Sequence, residues 1–248
     1  MSAHPAPETS IELGEQVLGA VRGHHAFEGC VEQLATAIRL GVYPRGTTLP
    51  AERELAERLH VSRATLREAM AALRQAGLVE TTRGRGGGTV VTLRQHMPSA
   101  RAAARTTAAR RQDWLDSLAF RRNVEPGAAA LAAARQLDGV RLAQLEAAHA
   151  DVAGARKPAE HRQADSRFHL TVAALTDSPR TIEAVTSVQA TLHEMLLAIP
   201  VLEANIAHSD RQHARLVRAV LAGKPELARR AMEEHCDDTA ALLRGLVG

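Results

Sequence analysis

Residues 49–91, LPAERELAERLHVSRATLREAMAALRQAGLVETTRGRGGGTVV, decide the fold of the N-terminal part of the chain. Their first half contains two short amphipathic segments, separated by residues 60–62. Their second half contains two β-prone runs, 79–82 and 89–93, joined by a glycine-rich tip that cannot be helical. Two helices followed by a β-hairpin form the pattern of a winged helix-turn-helix.

The second of these helices is predicted to bury one face. Its apolar residues recur with the spacing i, i+3, i+4, i+7, which is typical of one buried helical stripe. The residues of this stripe are Leu66, Ala69, Met70 and Leu73. Ser62 is a natural N-cap for the helix, because its hydroxyl can accept a hydrogen bond from a free N–H of the first turn.

The opposite face of this helix carries Arg63, Thr65 and Arg67 near its N-terminal end, and together with Ser62 they are candidates for DNA contact. In helix-turn-helix proteins this end enters the major groove of DNA, where arginine can donate two hydrogen bonds to guanine. Arg63 and Arg67 are four residues apart and therefore point the same way. An isolated arginine pair is more often a solvated basic face, but the cap, turn and wing around this pair favour base recognition.

The tip of the hairpin contains Arg83, Gly84 and Arg85. Glycine lets the backbone turn tightly and approach DNA closely, and an arginine there can reach a phosphate or the minor groove. The rival interpretation is a phosphate-binding loop of a nucleotide enzyme. We discount it, because the Gly-Lys-Ser/Thr ending is missing and no helix follows the glycines.

Residues 25–93 resemble the DNA-binding domain of the GntR regulators. The matching motifs are GVYPRG at 41–46, LPAER at 49–53, VSR at 61–63, LREA at 66–69, GL at 77–78 and the RGRGGG tip. The resemblance implies that Arg53, Arg63 and Arg67 contact the operator. It also implies that the wing tip lies in the adjacent minor groove.

The composition favours a second domain built from helices. The chain has 248 residues, of which 45% are hydrophobic but only 2% aromatic. That length suffices for two domains, and a core of Leu, Ala, Val and Ile favours packed helices. We find no run of about 18 apolar residues and no signal-peptide pattern, so we expect a cytoplasmic protein without membrane contacts.

Positive charge is concentrated where DNA contacts are expected. The net charge is −3 over residues 1–43, +4 over 44–94, +4 over 95–112 and −2 over 113–248. This distribution predicts a DNA-facing part attached to a part that does not touch DNA.

The sequence pattern divides the chain into four parts. We predict an N-terminal extension (1–24), a winged helix-turn-helix domain (25–94), a linker (95–112) and a helical effector-binding domain (113–248). The last part should be an antiparallel bundle, because turn signals interrupt its helical pattern five times. The predicted helices of the bundle are 113–136, 138–154, 158–176, 178–199, 202–222 and 225–246.

Two helices are also predicted before the helix-turn-helix. Residues 11–22 could form a short helix whose role the sequence does not indicate. Residues 27–40 should form the first helix of the winged domain. Its inward side chains are predicted to be Phe27, Val31, Leu34 and Ile38.

A candidate metal site is distributed over three predicted helices of the bundle. Asp165 and His169 are one helical turn apart, and His213 and His235 lie on two later helices. Three imidazoles and one carboxylate suit Zn²⁺, Ni²⁺ or Mn²⁺ and could leave coordination positions open for another oxygen ligand. Spacing alone leaves the alternative of surface histidines open, because the chain has 12 histidines. His161 is expected to be exposed.

The bundle resembles the FCD domain, the ligand-binding domain of the FadR branch of GntR regulators. The matching motifs are RRNVEP at 121–126, LAA at 131–133, Asp165-x-x-Phe168-His169, Asp210-x-x-His213 and Met232-x-x-His235. In metal-binding members, one aspartate and three histidines at these positions hold a divalent ion at the bottom of the effector pocket. The resemblance therefore implies a metal site made of Asp165, His169, His213 and His235.

Arg121 matches an arginine that, in several relatives, faces the effector pocket and can pair with a carboxylate. Arginine suits this role because its planar guanidinium can bind a carboxylate in a bidentate manner. The alternative is an i, i+4 salt bridge from Arg121 to Glu125 on the helix surface.

The sequence thus predicts a DNA-binding transcriptional regulator, with repression as the usual role in this family. A small carboxylate effector, held at the divalent metal, would control operator binding. We expect a homodimer on a pseudo-palindromic double-stranded operator. The alternatives are a direct metal sensor and a metal-dependent hydrolase or lyase with an attached DNA-binding domain. No enzyme is predicted, because no motif provides a general base beside a metal-bound water.

Overall fold

The computed structural model describes residues 8–21, 26–82, 88–93, 100–199 and 203–247. These residues form ten helices and one two-stranded sheet. The chain splits into two compact units, residues 1–96 and residues 97–248. A winged helix-turn-helix followed by an all-helical unit confirms the predicted fold class.

In the first unit, the described residues form four helices and a β-hairpin. Their bounds are α1 Glu8–Val17, α2 Ala26–Arg39, α3 Glu52–Leu59, α4 Arg63–Gln75, β1 Val79–Thr82 and β2 Gly88–Val91. The strands pair antiparallel, with Val79 opposite Val91. Thr48 forms an isolated bridge to Val90, which ties the approach to α3 against the hairpin.

The helix-turn-helix forms as its local sequence predicts. The four residues of the predicted stripe on α4 are all buried. The N–H of Thr65 donates to Ser62 Oγ at 3.0 Å, which confirms the N-cap. His60 ends α3 with φ of 53° and donates its N–H to the carbonyls of Ala56 and Glu57. This left-handed residue produces the sharp turn between the two helices.

Two predictions for the first helices need correction. The prediction that Phe27 points inward is wrong, because its side chain is 38% exposed. Phe27 lies in the first turn of α2. The buried residues of this helix begin one turn later, at Cys30, and continue through Leu34 and Ile38. Helix α1 begins and ends several residues before the predicted helix at 11–22.

The segment around α1, which lies outside the GntR resemblance, packs on the winged domain. Leu18 is buried at 3% exposure. Arg58 Nη2 donates to Glu15 Oε1 at 2.8 Å, and the N–H of Val21 donates to the carbonyl of Leu59 at 2.9 Å. The segment therefore adds to the core of the first unit.

Gly14→Ala should destabilise this packing. A Cβ on Gly14 would lie 2.4 Å from Tyr43 Oη and 2.8 Å from Tyr43 Cζ, and the tyrosine ring is buried. Glycine to alanine in a helix normally stabilises by about 0.5–1 kcal/mol, whereas overpacking costs about 1–3 kcal/mol. Gly19→Ala is the control, because a Cβ there meets nothing within 4 Å. Urea unfolding measures both variants, and equal stability would contradict the predicted contact.

The part of the second unit that the structure describes forms a bundle of six helices. Its helices are α5 Ala100–Ala134, α6 Gly139–Gly154, α7 Pro158–Ala174, α8 Pro179–Ala198, α9 Glu203–Leu221 and α10 Pro225–Val247. The predicted linker, residues 95–112, is helical from Ala100 onward. Its residues after Pro98 include many alanines and arginines, which are strong helix formers, and no glycine or further proline.

Helix α5 packs against α8 and α10, and α7 packs against α6 and α8. One apolar cluster surrounds Phe168 and Leu145, and another surrounds Trp114. The same helices also bury polar side chains, which is costly unless these residues are paired or bind a ligand. None of the described helices is long and apolar enough to cross a membrane.

Candidate metal centre and nucleic-acid interface

Three buried histidines from three helices converge in the second unit. His169 is on α7, His213 on α9 and His235 on α10. One ring nitrogen from each lies within 4.8 Å of the others. Nitrogens that share an ion at about 2.1 Å lie roughly 3–4 Å apart. Small side-chain movements would therefore bring all three nitrogens onto one divalent ion.

Asp165, the fourth predicted ligand, lies beside this triad at its more exposed edge. It precedes His169 by one turn of α7, so both side chains lie on the same face of the helix. Asp165 Oδ1 is 3.7 Å from His213 Nε2, and the carboxylate is half-buried. The structure thus brings together all four residues that the sequence singled out.

Burial favours the neutral form of two of the three histidines, which is the form that a metal ligand needs. The Nε2 atoms of His169, His213 and His235 are buried and have no hydrogen-bond partner among the described residues. Burial, together with the neighbouring histidines, lowers the pKa of His213 and of His235 well below the usual value. Neutral imidazole offers a lone pair to an ion, so these residues fit a divalent metal.

A buried glutamine fixes the orientation of His235. Gln212 Nε2 donates to Asp238 Oδ2 at 2.7 Å, so Gln212 Oε1 faces His235 Nδ1 at 3.2 Å. An amide oxygen only accepts hydrogen bonds, so Nδ1 must carry the proton. The unprotonated Nε2 is then available to the ion, as is common for metal-binding histidines.

Arg121 and Glu125 form a buried ion pair close to the triad. Arg121 Nε donates to Glu125 Oε2 at 3.0 Å, and both residues are only 1% exposed. The pair that the sequence suggested therefore exists, but its predicted place on the helix surface is wrong, because neighbouring helices cover this face of α5. Burial favours loss of the charge on Arg121, but Glu125 outweighs it and raises the pKa of the guanidinium.

Arg121 also presents free donors to a cavity. Its Nη1 and Nη2 atoms are buried without a hydrogen-bond partner among the described residues. The cavity has a volume of about 80 Å³, several times the ~10–15 Å³ that one water needs. Its lining residues are Arg121, Pro158, His161, Arg162, Asp165, Leu192, Leu196, Ile199, Asn205, Ile206, Ser209, His235, Thr239 and Leu242.

Two of these lining residues depart from the sequence interpretation. His161 was expected to be exposed, but it is 8% exposed and lies 3.6 Å from Asp210. The expectation is wrong because the side chain of Asp210, on α9, lies against His161. Arg162 was missed, and its Nε is also buried without a partner among the described residues. Arg162 precedes Asp165 by three residues, so both side chains lie on the same face of a helix. This spacing is the sequence feature that could have identified Arg162.

The predicted DNA-contacting arginines lie on the surface of the first unit. Arg63 and Arg67 are exposed near the start of α4. Arg67 Nε is 3.1 Å from Glu52, and Arg53 Nη1 is 3.0 Å from Glu57. Such exposed ion pairs contribute only about 0–1 kcal/mol. The arginines can therefore exchange these partners for DNA at little cost.

The remaining predicted DNA-contacting residues fall into two groups. Ser62 Oγ and Thr65 Oγ1 are 2.8 Å apart, so both hydroxyls belong to the cap of α4. Arg83, Gly84 and Arg85 lie outside the described residues, and the strands on either side of them form the hairpin.

A winged helix-turn-helix unit followed by an all-helical unit is the architecture of a DNA-binding transcriptional regulator. Residues 28–91 match the family described as bacterial regulatory proteins, gntR family, and residues 116–238 match the FCD domain. The chain belongs to the GntR family of transcriptional regulators and carries an FCD domain.

Two relatives extend the match over most of the chain. RmpR, named as an HTH-type transcriptional regulator of Mycobacterium gastri, is 35% identical over 219 residues, which are 84% of this chain and 76% of the relative. The Glc operon transcriptional activator of Escherichia coli is 31% identical over 220 residues, 84% of this chain and 85% of the relative. Both are named as transcriptional regulators.

A solved structure shows the same fold. E. coli McbR/YncC aligns with a TM-score of 0.54 and 18% identity, covering 90% of this chain and 99% of that protein. At this identity the likeness concerns the fold alone.

Proposed function

We propose that this regulator binds a pseudo-palindromic operator as a homodimer and that a small carboxylate, held at a divalent metal in the FCD domain, controls this binding. Asp165, His169, His213 and His235 would hold the metal, which would supply a Lewis acid for a carboxylate oxygen. Arg121 would pair with the same carboxylate. We propose no catalytic role for the chain.

The observation that carries this proposal is the convergence of three buried histidines, each with an unpartnered Nε2, next to a cavity that His235 helps to line. An unpartnered buried polar atom costs about 1–3 kcal/mol. Three neighbouring histidines with such atoms, together with the free donors of Arg121, favour a site built for an ion and an anion. The small cavity favours an acid of few atoms.

The names of relatives are compatible with a small acid. An E. coli protein named for regulation of the L-lactate dehydrogenase operon is 32% identical to this chain over 202 residues. Lactate is a carboxylate of the proposed size. L-lactate is therefore a reasonable first probe in a thermal-shift screen of small organic acids, performed on metal-loaded and metal-free protein.

Two alternatives predict different results in this screen. A direct metal sensor would change its operator affinity on addition of metal alone and would not respond to acids. A metal-dependent hydrolase or lyase would convert one of the acids, which product analysis would reveal. The proposed regulator binds an acid only when metal is present and releases it unchanged.

Arg63→Ala or Arg67→Ala should each weaken operator binding by about 1–3 kcal/mol and relax base preference, as expected for loss of a bidentate contact to guanine. Arg85→Ala should weaken binding to all DNA more uniformly, because a phosphate contact carries no sequence information. Arg74→Ala, in the last turn of α4, is the control. Fluorescence anisotropy with the operator and a random duplex tests this. Equal losses on both duplexes for Arg63→Ala and Arg67→Ala would contradict base recognition.

We expect two protein chains on each operator duplex. One recognition helix contacts only a few base pairs, so a two-fold dimer on an inverted repeat supplies the required specificity. Multi-angle light scattering of the protein and of its operator complex tests this prediction. A monomer at micromolar concentration, with one chain per duplex, would contradict it.

Repression remains our prediction for the direction of control, and a reporter gene behind the operator tests it.

A further inference from the structure

Glu125 is the most completely bonded buried carboxylate near the candidate metal site. Its Oε1 accepts a hydrogen bond from Gln189 Nε2 at 2.6 Å. Its Oε2 accepts from Arg121 Nε at 3.0 Å and lies 3.0 Å from His169 Nδ1. Cys236 Sγ is 3.7 Å from the same oxygen. Contacts from four helices therefore hold this carboxylate in one orientation.

The contacts of Glu125 are those of an ionised carboxylate. Arg121 Nε and Gln189 Nε2, the nitrogens that face its two oxygens, can only donate hydrogen bonds. An ionised carboxylate only accepts hydrogen bonds. A neutral His169 can satisfy it only when the proton is on Nδ1, which leaves the lone pair of Nε2 directed away from Glu125.

We infer that Glu125 is a positioning residue for the metal centre: it fixes the Nδ1–H tautomer of His169 and so aims the unprotonated Nε2 at the ion. Glu125 plays for His169 the role that Gln212 plays for His235. Because one oxygen serves both His169 and Arg121, Glu125 also joins the metal ligand to the anion-binding arginine. This inference rests on the proposed function in that the ion is the one proposed above.

The test compares two double variants that differ only in whether the side chain at position 125 can accept a hydrogen bond. Arg121→Met/Glu125→Met removes the whole ion pair, and replacing a buried pair by apolar side chains of similar size is often tolerated. Arg121→Met/Glu125→Gln also removes both charges but keeps a carbonyl oxygen that His169 Nδ1–H can reach. Thermal unfolding confirms that both proteins are folded before any binding is compared.

The first measurement is calorimetric titration of Zn²⁺ alone into the metal-free full chain. The Glu125→Gln double variant should retain Zn²⁺ affinity close to that of the wild type. The Glu125→Met double variant should bind Zn²⁺ about 10–100-fold more weakly, as is typical when a metal-binding histidine loses its hydrogen-bond partner. Equal Zn²⁺ affinity of the two double variants would overturn the inference.

The second measurement needs no metal, so it separates this inference from the proposed function. Long-range ¹⁵N–¹H spectra of histidine-labelled, metal-free protein report which ring nitrogen is protonated, and His169→Asn assigns the signal. We expect the Nδ1–H form of His169 in the wild type and in the Glu125→Gln double variant, and loss of this preference in the Glu125→Met double variant. Protonated Nε2 in the wild type would overturn the inference. Absence of Zn²⁺ binding by a wild type with the expected tautomer would instead refute the proposed metal site.

Discussion

Replacing His213 or His235 by alanine should abolish the response of the protein to an acid effector while leaving its operator affinity nearly unchanged. Each histidine supplies one of three buried nitrogens that lie within 4.8 Å of one another. Loss of one leaves two imidazoles and a half-buried carboxylate, and the ion then lacks the ligands that fix its geometry. The arginines that we propose to contact DNA lie in the other compact unit, so their surface is not altered.

Calorimetric titration of metal and then acid, beside an operator-binding assay, measures both effects. Asp165→Asn is a finer variant, because it keeps the size of the side chain but removes a charge that attracts the cation. His149→Ala is the control, since His149 lies in the same unit but outside the triad. Wild-type metal stoichiometry and acid response in both His213→Ala and His235→Ala would contradict the proposed site.

Arg121→Met should destabilise the second unit by about 3–5 kcal/mol, the usual result of leaving one partner of a buried ion pair uncompensated. It should also abolish acid binding, because the free donors of Arg121 line the cavity. Adding Glu125→Met should restore much of the stability but not the acid binding. The single tryptophan, Trp114, is buried in this unit and reports its unfolding by fluorescence in urea.

The control for this cycle is the exposed i, i+4 pair of Arg230 and Glu226. Its side chains are 70% and 64% exposed, and such helix pairs contribute about 0.3–0.5 kcal/mol. Arg230→Met should therefore change the free energy of unfolding very little. A loss for Arg121→Met no larger than that for Arg230→Met would contradict the description of Arg121 and Glu125 as a buried charged pair.

The parts of the structure that depend on local sequence were predictable. The N-cap at Ser62 and the buried stripe of α4 follow from residues within a few positions of one another. The candidate metal ligands came from the spacing of Asp165 and His169 and, for the later helices, from resemblance to the FCD domain. Periodicity placed His213 and His235 on helices, but it could not bring those helices together.

The parts that depend on packing between distant segments were not predictable. His161 was expected to be exposed because nothing near it in the sequence indicates that Asp210, on α9, lies against it. For the same reason, the sequence suggested that an Arg121–Glu125 pair would lie on the surface. Gln212 contacts His235, which is 23 residues away in the sequence, and Gln189 contacts Glu125, which is 64 residues away. No spacing rule connects residues so far apart, so their roles emerge only from the folded chain.

Control of DNA binding by an acid at the metal centre is tested by an operator-binding titration with and without metal and acid. The operator is first selected from a random duplex library. Wild type and His213→Ala are then titrated onto it with a chelator, with Zn²⁺, and with Zn²⁺ plus the acid found in the thermal-shift screen. We expect the acid to shift operator affinity only in the Zn²⁺-loaded wild type. An acid response that persists with the chelator or in His213→Ala would contradict control through the metal centre.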